Sequence, residues 1–183
     1  MQFRETRLPG AYVVEMQPFT DERGQFARAW CSEEFARRGL MAEFVQSNVS
    51  INPKTGTLRG LHWQEPPYAE VKLVRCVRGA VWDVIVDLRP RSPTYGEWIG
   101  VELSTDRFKM LYVPEGFAHG FQVLDDETEV NYLVSAPYAA HAARGIRYDD
   151  PAIGVRWPLP VTSISEADRS WPLLADAGRF ATT

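Results

Sequence analysis

The 183-residue chain is long enough for one compact domain and too short for two of ordinary size, so we predict a single domain over residues 1–183. Its composition, 45% hydrophobic and 24% charged, excludes a disordered or fibrous chain. The net charge is −4 without a basic stripe, so we expect no nucleic-acid partner. No apolar run reaches the ~18–20 residues of a membrane span, and the charged first stretch lacks the apolar centre of a signal peptide. We therefore expect a cytoplasmic protein with no membrane partner.

Glycines and prolines divide the chain into short stretches that favour β-strands. In chain order the predicted strands are residues 11–15, 43–51, 57–64, 70–77, 80–88, 96–103, 109–113, 118–124 and 128–135. Helix signals are few: residues 32–38 end at Gly39, and a short turn opens at Ser165. The last stretch, residues 176–183, is expected to fray. This pattern predicts an all-β antiparallel sandwich or barrel of the jelly-roll kind, with a few short helices.

The alternation of residues is clearest in the strand over 80–88. Its even positions, Trp82 to Leu88, are all apolar, whereas Asp83 and Asp87 lie on the odd face. The pattern predicts one face toward the core and one toward something polar.

Two of the three histidines lie in sequences that favour a site. His62 ends the segment Arg59-Gly60-Leu61-His62 and shares a strand face with Gly60 and Gln64, and His119 ends a PxGxxH motif. PxGxxH is half of the metal-binding pattern of cupins, so one hypothesis is a metal held by His62, His119 and Glu70. The other is metal-free acid–base catalysis next to a carbonyl group, in which histidine, tyrosine and lysine supply base, acid and enolate stabiliser.

Several ordered motifs over residues 19–172 resemble the dTDP-4-dehydrorhamnose 3,5-epimerase family, whose members have a cupin-type jelly-roll fold. The motifs are DERGQF at 21–26, FVQSN at 44–48, GTLRGLHWQ at 56–64, KLVR at 72–75, DVIVDLR at 83–89, SPTYG at 92–96 and PEGFAHGF at 114–121. The resemblance implies a cofactor-free isomerase that inverts C3 and C5, or C3 alone, of a nucleoside-diphosphate 4-keto-6-deoxyhexose. It also implies a homodimer that exchanges an N-terminal strand, with Arg23 reaching the partner's site.

The resemblance also implies a role for each matching residue. His62 matches the base, Asp168 the carboxylate that orients its imidazole, Tyr132 the opposing acid, and Lys72 the cation at the enolate oxygen. The positions that match substrate-binding residues are Arg23, Gln46, Asn48, Arg59, His119 and Tyr138. Without the resemblance, Asp168 also fits a helix cap, and Tyr132 and Tyr138 fit core or interface positions. Lys72 fits a solvent-exposed position on a strand.

Four positions depart from the family pattern: Arg28 and Ala143 replace glutamates, Ala167 replaces a lysine, and Glu70 replaces a glutamine. The first three fall where nucleotide or phosphate contacts are expected, so CDP- and GDP-sugars stand as alternatives to dTDP-sugars. A regular strand would also place Arg59 and His62 on opposite faces. We therefore expect a twist or bulge at Gly60, or an Arg59 that serves a neighbouring subunit.

Overall fold

Thirteen strands and three short helices form the chain in the computed structural model, which describes residues 1–177. The strands are β1 (Gln2–Glu5), β2 (Tyr12–Glu15), β3 (Phe19–Asp21), β4 (Gly24–Phe26), β5 (Gln46–Asn52), β6 (Leu58–Gln64), β7 (Lys72–Arg78), β8 (Ala80–Asp87), β9 (Trp98–Ser104), β10 (Lys109–Val113), β11 (Phe117–Val123), β12 (Thr128–Val134) and β13 (Ala143–Gly145). The helices are α1 (Ser32–Ala36), α2 (Glu166–Ser170) and α3 (Leu174–Ala177). The stretch predicted to fray lies outside the described residues from 178 onward, and residues 176 and 177 belong to α3.

Two antiparallel sheets face each other. One has the strand order β1-β2-β10-β7-β12-β5, and the other has the order β13-β6-β11-β8-β9. Strands that follow one another in the chain repeatedly alternate between the sheets, as in a jelly roll. The hairpin β3–β4 is separate from both sheets. The predicted all-β jelly-roll fold is confirmed.

Three apolar clusters hold these layers together. The central one lies between the sheets and contains Val74, Ile85 and Phe121. A second packs Phe35 of α1 on the outer face of the first sheet, and a third packs Ile146 and Ile153 on the outer face of the second sheet. The two outer clusters fix the loops and short helices against the sheets because burial of apolar side chains stabilises that packing. None of the helices in residues 1–177 is long and apolar enough to cross a membrane.

Strand β8 corrects the expectation of one core face and one polar face. Val84 and Val86 on its even face are buried in the third cluster, while Ile85 on its odd face is buried in the central cluster. Asp83 and Asp87 share the odd face and are fully buried. Both faces of β8 are therefore interior; Asp83 pairs with the buried His119, and Asp87 pairs with the loop residues Arg89, Ser92 and Thr94.

Strand β6 carries the bulge expected at Gly60. His62 pairs with His119 of β11, but Arg59 pairs with Phe121, so β6 has one more residue than β11 across this interval. Gly60 has φ +115°, and a Cβ there would lie 2.5 Å from the Cα of Gly120. Only glycine fits this close approach. The bulge directs both Arg59 and His62 into one cavity.

Candidate active site

Two adjoining cavities open beside β6, with volumes of about 650 and 340 Å³. Four side chains line both of them: His62 from β6, Lys72 from β7, Tyr132 from β12 and Asp168 from α2. Strand pairing explains why they meet, since β12 and β7 are neighbours in one sheet and β6 belongs to the facing sheet. The structure thus brings together the base, acid, cation and orienting carboxylate that the family resemblance implies.

His62 and Asp168 form a hydrogen-bonded pair. Nε2 of His62 lies 2.5 Å from Oδ1 of Asp168. An ionised carboxylate accepts but cannot donate, so we assign the imidazole hydrogen to Nε2. Nδ1 is then left with a free lone pair, which can accept a proton from a molecule in the cavity. The ring of Trp171 contacts the imidazole edge-to-face, with ring centroids 6.1 Å apart, and restrains its orientation.

Asp168 is held by its helix as well as by His62. Ser165 caps α2, because its side chain accepts a hydrogen bond from the Asp168 amide at 3.0 Å. Asp168 is therefore not the cap. Its Oδ2 accepts a hydrogen bond from the Gly60 amide at 3.4 Å. Burial raises the pKa of Asp168, but the hydrogen bond and charge of His62 and the Gly60 amide outweigh it and hold that pKa below its usual range.

Lys72 is buried rather than solvated, with 10% of its side chain exposed. Its Nζ lies 3.2 Å from Oε1 of Glu70 and donates to the backbone oxygen of His62 at 3.5 Å. A buried ammonium group needs such partners. These contacts hold a positive charge in the wall shared by both cavities, where it is able to stabilise an oxyanion.

Tyr132 lines both cavities. Burial is the main cause that raises the pKa of Tyr132, and the negative charge of Glu70 adds to it, while Arg59 opposes them. The phenol consequently keeps its proton near neutral pH and is suited to donate it.

The larger cavity also contains His119 and Arg59. Nε2 of His119 lies 2.8 Å from Oδ1 of the fully buried Asp83, and Nε of Arg59 donates to Asn52 at 2.8 Å. Oδ2 of Asp83 has no hydrogen-bond partner within residues 1–177. Asp83 is not among the site residues predicted from the sequence, although a charged residue in the middle of a strongly apolar strand was a signal for such a role.

The remaining substrate-binding candidates separate into two groups. Gln46, Asn48 and Tyr138 line the smaller cavity, and the Gln46 amide donates to the Asn48 side chain at 2.7 Å. Arg23 instead lies on the β3–β4 hairpin, away from both cavities, with 83% of its side chain exposed and Asp21 as its partner. Arg23 therefore does not reach the site of its own subunit.

The residues that depart from the family pattern lie in different places relative to the two cavities. Ala143 and Ala167 both line the smaller cavity, which they leave open on that side. Arg28 lies outside both cavities and pairs with Glu34 of α1 at 3.0 Å.

The three residues of the metal hypothesis are each engaged with other groups. Nε2 of His62 and Nε2 of His119 contact carboxylates, and the Glu70 carboxylate contacts Lys72. Across residues 1–177, no group of three or more His, Cys, Asp or Glu side chains is arranged to hold a metal ion.

Comparisons of the sequence and of the structure with known proteins all indicate the same family. The sequence profile of the dTDP-4-dehydrorhamnose 3,5-epimerase family matches residues 5–176. The dTDP-4-dehydrorhamnose 3,5-epimerase of Methanothermobacter thermautotrophicus is 46% identical over 179 residues, which cover 96% of this chain and 95% of that protein. The crystal structure of the Bacillus anthracis enzyme with TDP and pyrophosphate bound has a TM-score of 0.92 at 40% identity, covering 94% of this chain and 99% of that one. A 3′-monoepimerase from Streptomyces bikiniensis, in complex with dTDP-quinovose, has a TM-score of 0.90 at 33% identity, covering 96% and 89%. The chain therefore belongs to the dTDP-4-dehydrorhamnose 3,5-epimerase family and is a carbohydrate epimerase.

Proposed function

We propose that this epimerase converts dTDP-4-dehydro-6-deoxyglucose to dTDP-4-dehydrorhamnose by removing and returning protons at C3 and C5 through an enolate. The observation that carries the proposal is the set of four side chains, His62, Lys72, Tyr132 and Asp168, in the wall shared by the two cavities. They supply a base, an acid and an oxyanion partner, and the Glu70 carboxylate that the metal hypothesis would use is paired with Lys72.

The reaction begins with proton abstraction. Nδ1 of His62 takes the proton from the carbon next to the C4 ketone, and the electron pair of the C–H bond forms the enolate, with its negative charge on the C4 oxygen. The Asp168 carboxylate, ionised because its pKa is low, stabilises the imidazolium that results. The Lys72 ammonium group stabilises the enolate oxygen.

Proton return completes the inversion. The Tyr132 phenol donates its proton to the opposite face of the same carbon, and the enolate reverts to the ketone. The imidazolium and the phenolate then regain their starting forms by proton exchange with water. Two such cycles, one at each carbon, invert C3 and C5.

Substrate binding uses the residues around this centre. We assign the diphosphate to Arg59, since a guanidinium group binds phosphate oxygens with two parallel hydrogen bonds. His119, held by Asp83, contacts the sugar side of the larger cavity, and Gln46, Asn48 and Tyr138 bind the remainder of the substrate. The bound TDP of the Bacillus anthracis relative supports a dTDP-sugar as substrate.

We further propose a homodimer in which an N-terminal segment is exchanged and Arg23 completes the partner's phosphate site. Three features support it: Arg23 is exposed, the hairpin β3–β4 pairs with neither sheet, and the hairpin exposes Phe19 by 66% and Phe26 by 77%. Aromatic side chains this exposed are typical of interfaces.

The first experiment follows solvent deuterium at C3 and C5 of the sugar by NMR. His62→Asn removes the base, so deuterium incorporation at both carbons should fall about 10²–10⁴-fold. Tyr132→Phe removes only the opposing acid, so exchange through His62 should persist while net inversion falls much further. A third variant, His141→Asn, is the matched control, since His141 is exposed and packs on Tyr68.

Three outcomes decide the proposal. A His62→Asn variant that keeps more than a tenth of wild-type exchange would place the base elsewhere. Equal loss of exchange and inversion in Tyr132→Phe would show that Tyr132 only shapes the cavity. Deuterium at C3 alone in the wild-type product would identify a 3′-monoepimerase, the activity of the Streptomyces bikiniensis relative.

A further inference from the structure

Glu70 is a nearly buried carboxylate at the edge of the active site, in the loop that leads into β7. It lines the smaller cavity beside Tyr132, and 11% of its side chain is exposed. The catalytic and substrate-binding roles proposed above do not include Glu70. A buried carboxylate is costly unless it is paired and hydrogen-bonded, so its partners indicate its purpose.

Each oxygen of this carboxylate has its own donor. Oε1 lies 3.2 Å from Nζ of Lys72, and Oε2 accepts from Nε2 of Gln64 at 3.1 Å. The Gln64 amide is fixed in turn, because its Oε1 accepts from the Ala139 backbone amide at 2.6 Å. Gln64 must therefore present its NH₂ group, and Glu70 must present an acceptor to each of two donors. A side-chain amide has only one acceptor atom and cannot reproduce this arrangement atom for atom.

We propose that Glu70 is a positioning residue of the active site: its carboxylate holds the Lys72 ammonium group beside His62 and places a negative charge in the same cavity wall as Tyr132. The inference rests on the proposed function for its catalytic meaning. The effect of the Glu70 charge on the pKa of Tyr132 depends only on the folded protein and is measured without substrate.

The charges around Tyr132 determine the direction of the effect. The charged and titratable side chains that face Glu70 and Tyr132 are His62, Lys72, Tyr138, Arg144 and Asp168 in the smaller cavity and Arg59 in the larger one. A negative charge near a phenol disfavours the phenolate, and Glu70 accordingly adds to burial in raising the pKa of Tyr132. Arg59 acts in the opposite direction. Removal of the Glu70 charge therefore lowers the pKa of Tyr132, and the phenol ionises at lower pH.

The proposal is tested by titrating Tyr132 in the absence of substrate. The phenolate absorbance of each protein is measured against pH, and the curve of the same protein carrying Tyr132→Phe is subtracted, which isolates Tyr132. In Glu70→Gln the midpoint should fall by about one pH unit. Glu70→Asp keeps the charge and should restore most of the wild-type midpoint. Glu129→Gln, on the strand of Tyr132 but paired with Arg78, is the control for net charge and should leave the midpoint unchanged.

The second measurement is kcat/KM against pH. The alkaline limb of the Glu70→Gln profile should move to lower pH with the Tyr132 midpoint, and kcat should fall about tenfold as Lys72 loses its anchor. An unchanged Tyr132 midpoint in Glu70→Gln overturns the proposal, as does a Glu70→Asp variant that behaves like Glu70→Gln. A shifted midpoint with an unshifted alkaline limb supports the role of Glu70 and contradicts the role of Tyr132 as acid, so failure of the proposed function is told apart from failure of this inference.

Discussion

At the scale of single residues, the His62–Asp168 pair combines a partly exposed imidazole with a buried carboxylate charge. The exposed fraction is 42% for the His62 side chain and 8% for the Asp168 side chain. The imidazole thus reaches the cavity, while the carboxylate is shielded from water that would weaken its field. The low pKa of Asp168 keeps it ionised throughout the neutral range. The pair therefore fixes the orientation of the imidazole and sets a buried negative charge next to it.

Replacing the Asp168 carboxylate by an amide tests its effects on the orientation and charge environment of His62 separately from substrate binding. Asp168→Asn keeps the shape of the side chain but removes its charge and its fixed acceptor pattern. We expect kcat to fall about 10²–10⁴-fold while KM stays within a few-fold, because the residue acts on His62 and not on the ground-state substrate. Asp149→Asn, at an exposed aspartate paired with Arg147, is the control. Steady-state kinetics in which Asp168→Asn raised KM alone would contradict an orienting role.

At the scale of elements, the bulge in β6 explains how two residues three positions apart come to line one cavity. Arg59 and His62 line the same cavity because Gly60 adds one residue against β11. The Gly60 amide, at the bulge, also donates to Asp168. One glycine thereby links the phosphate-binding candidate, the base and the orienting carboxylate.

A methyl group at this glycine tests the geometry. Gly60→Ala must relieve both a left-handed φ and a contact of 2.5 Å with the Gly120 backbone, so we expect a loss of about 2–4 kcal/mol in the free energy of unfolding. Gly39→Ala, which also has a positive φ but no atom within 4 Å of the added Cβ, should lose only the smaller backbone part. Urea denaturation measures both. Equal losses in the two variants would show that the close approach to β11 contributes nothing.

Much of the sheet structure was predictable because turn residues bound the strands. The strand predicted at 109–113 matches β10, and those at 57–64, 80–88, 118–124 and 128–135 agree with the observed strands to within a residue at each end. The short strands β1, β3, β4 and β13 were missed because their residues are largely polar or exposed and show no sustained alternation.

The candidate site was predictable from the sequence only in part. Motif resemblance identified His62, Lys72, Tyr132 and Asp168, but the sequence alone placed Lys72 as readily in solvent. The roles of Asp83 and Glu70 follow from their partners on other strands. Asp83 contacts His119, and Glu70 contacts Lys72 and Gln64. Such pairings depend on the register between strands, which no local pattern in the sequence specifies.

At the scale of the whole molecule, exposed apolar groups mark the surface that we propose as the dimer interface. Val49 and Ile51 of β5, at the edge of the first sheet, are exposed by 62% and 60% and line the larger cavity. Phe19 and Phe26 are exposed on the β3–β4 hairpin. An uncovered edge strand and exposed aromatic residues favour association, and a hairpin from a second copy would cover apolar surface while bringing Arg23 to the cavity.

Mixed dimers test whether Arg23 acts across the interface. Arg23→Ala removes a charge-assisted contact to phosphate and should raise KM about 10- to 100-fold in a homodimer, whereas Arg37→Ala, at an exposed arginine of the α1 region, should not. In a purified heterodimer of Arg23→Ala and His62→Asn chains, one site combines an intact His62 with an intact Arg23 from the other chain. Because a two-fold dimer has two equivalent sites, this heterodimer should regain about half of the wild-type kcat/KM. If Arg23 served its own subunit, both sites would carry a defect, and a heterodimer no more active than the Arg23→Ala homodimer would refute the exchange.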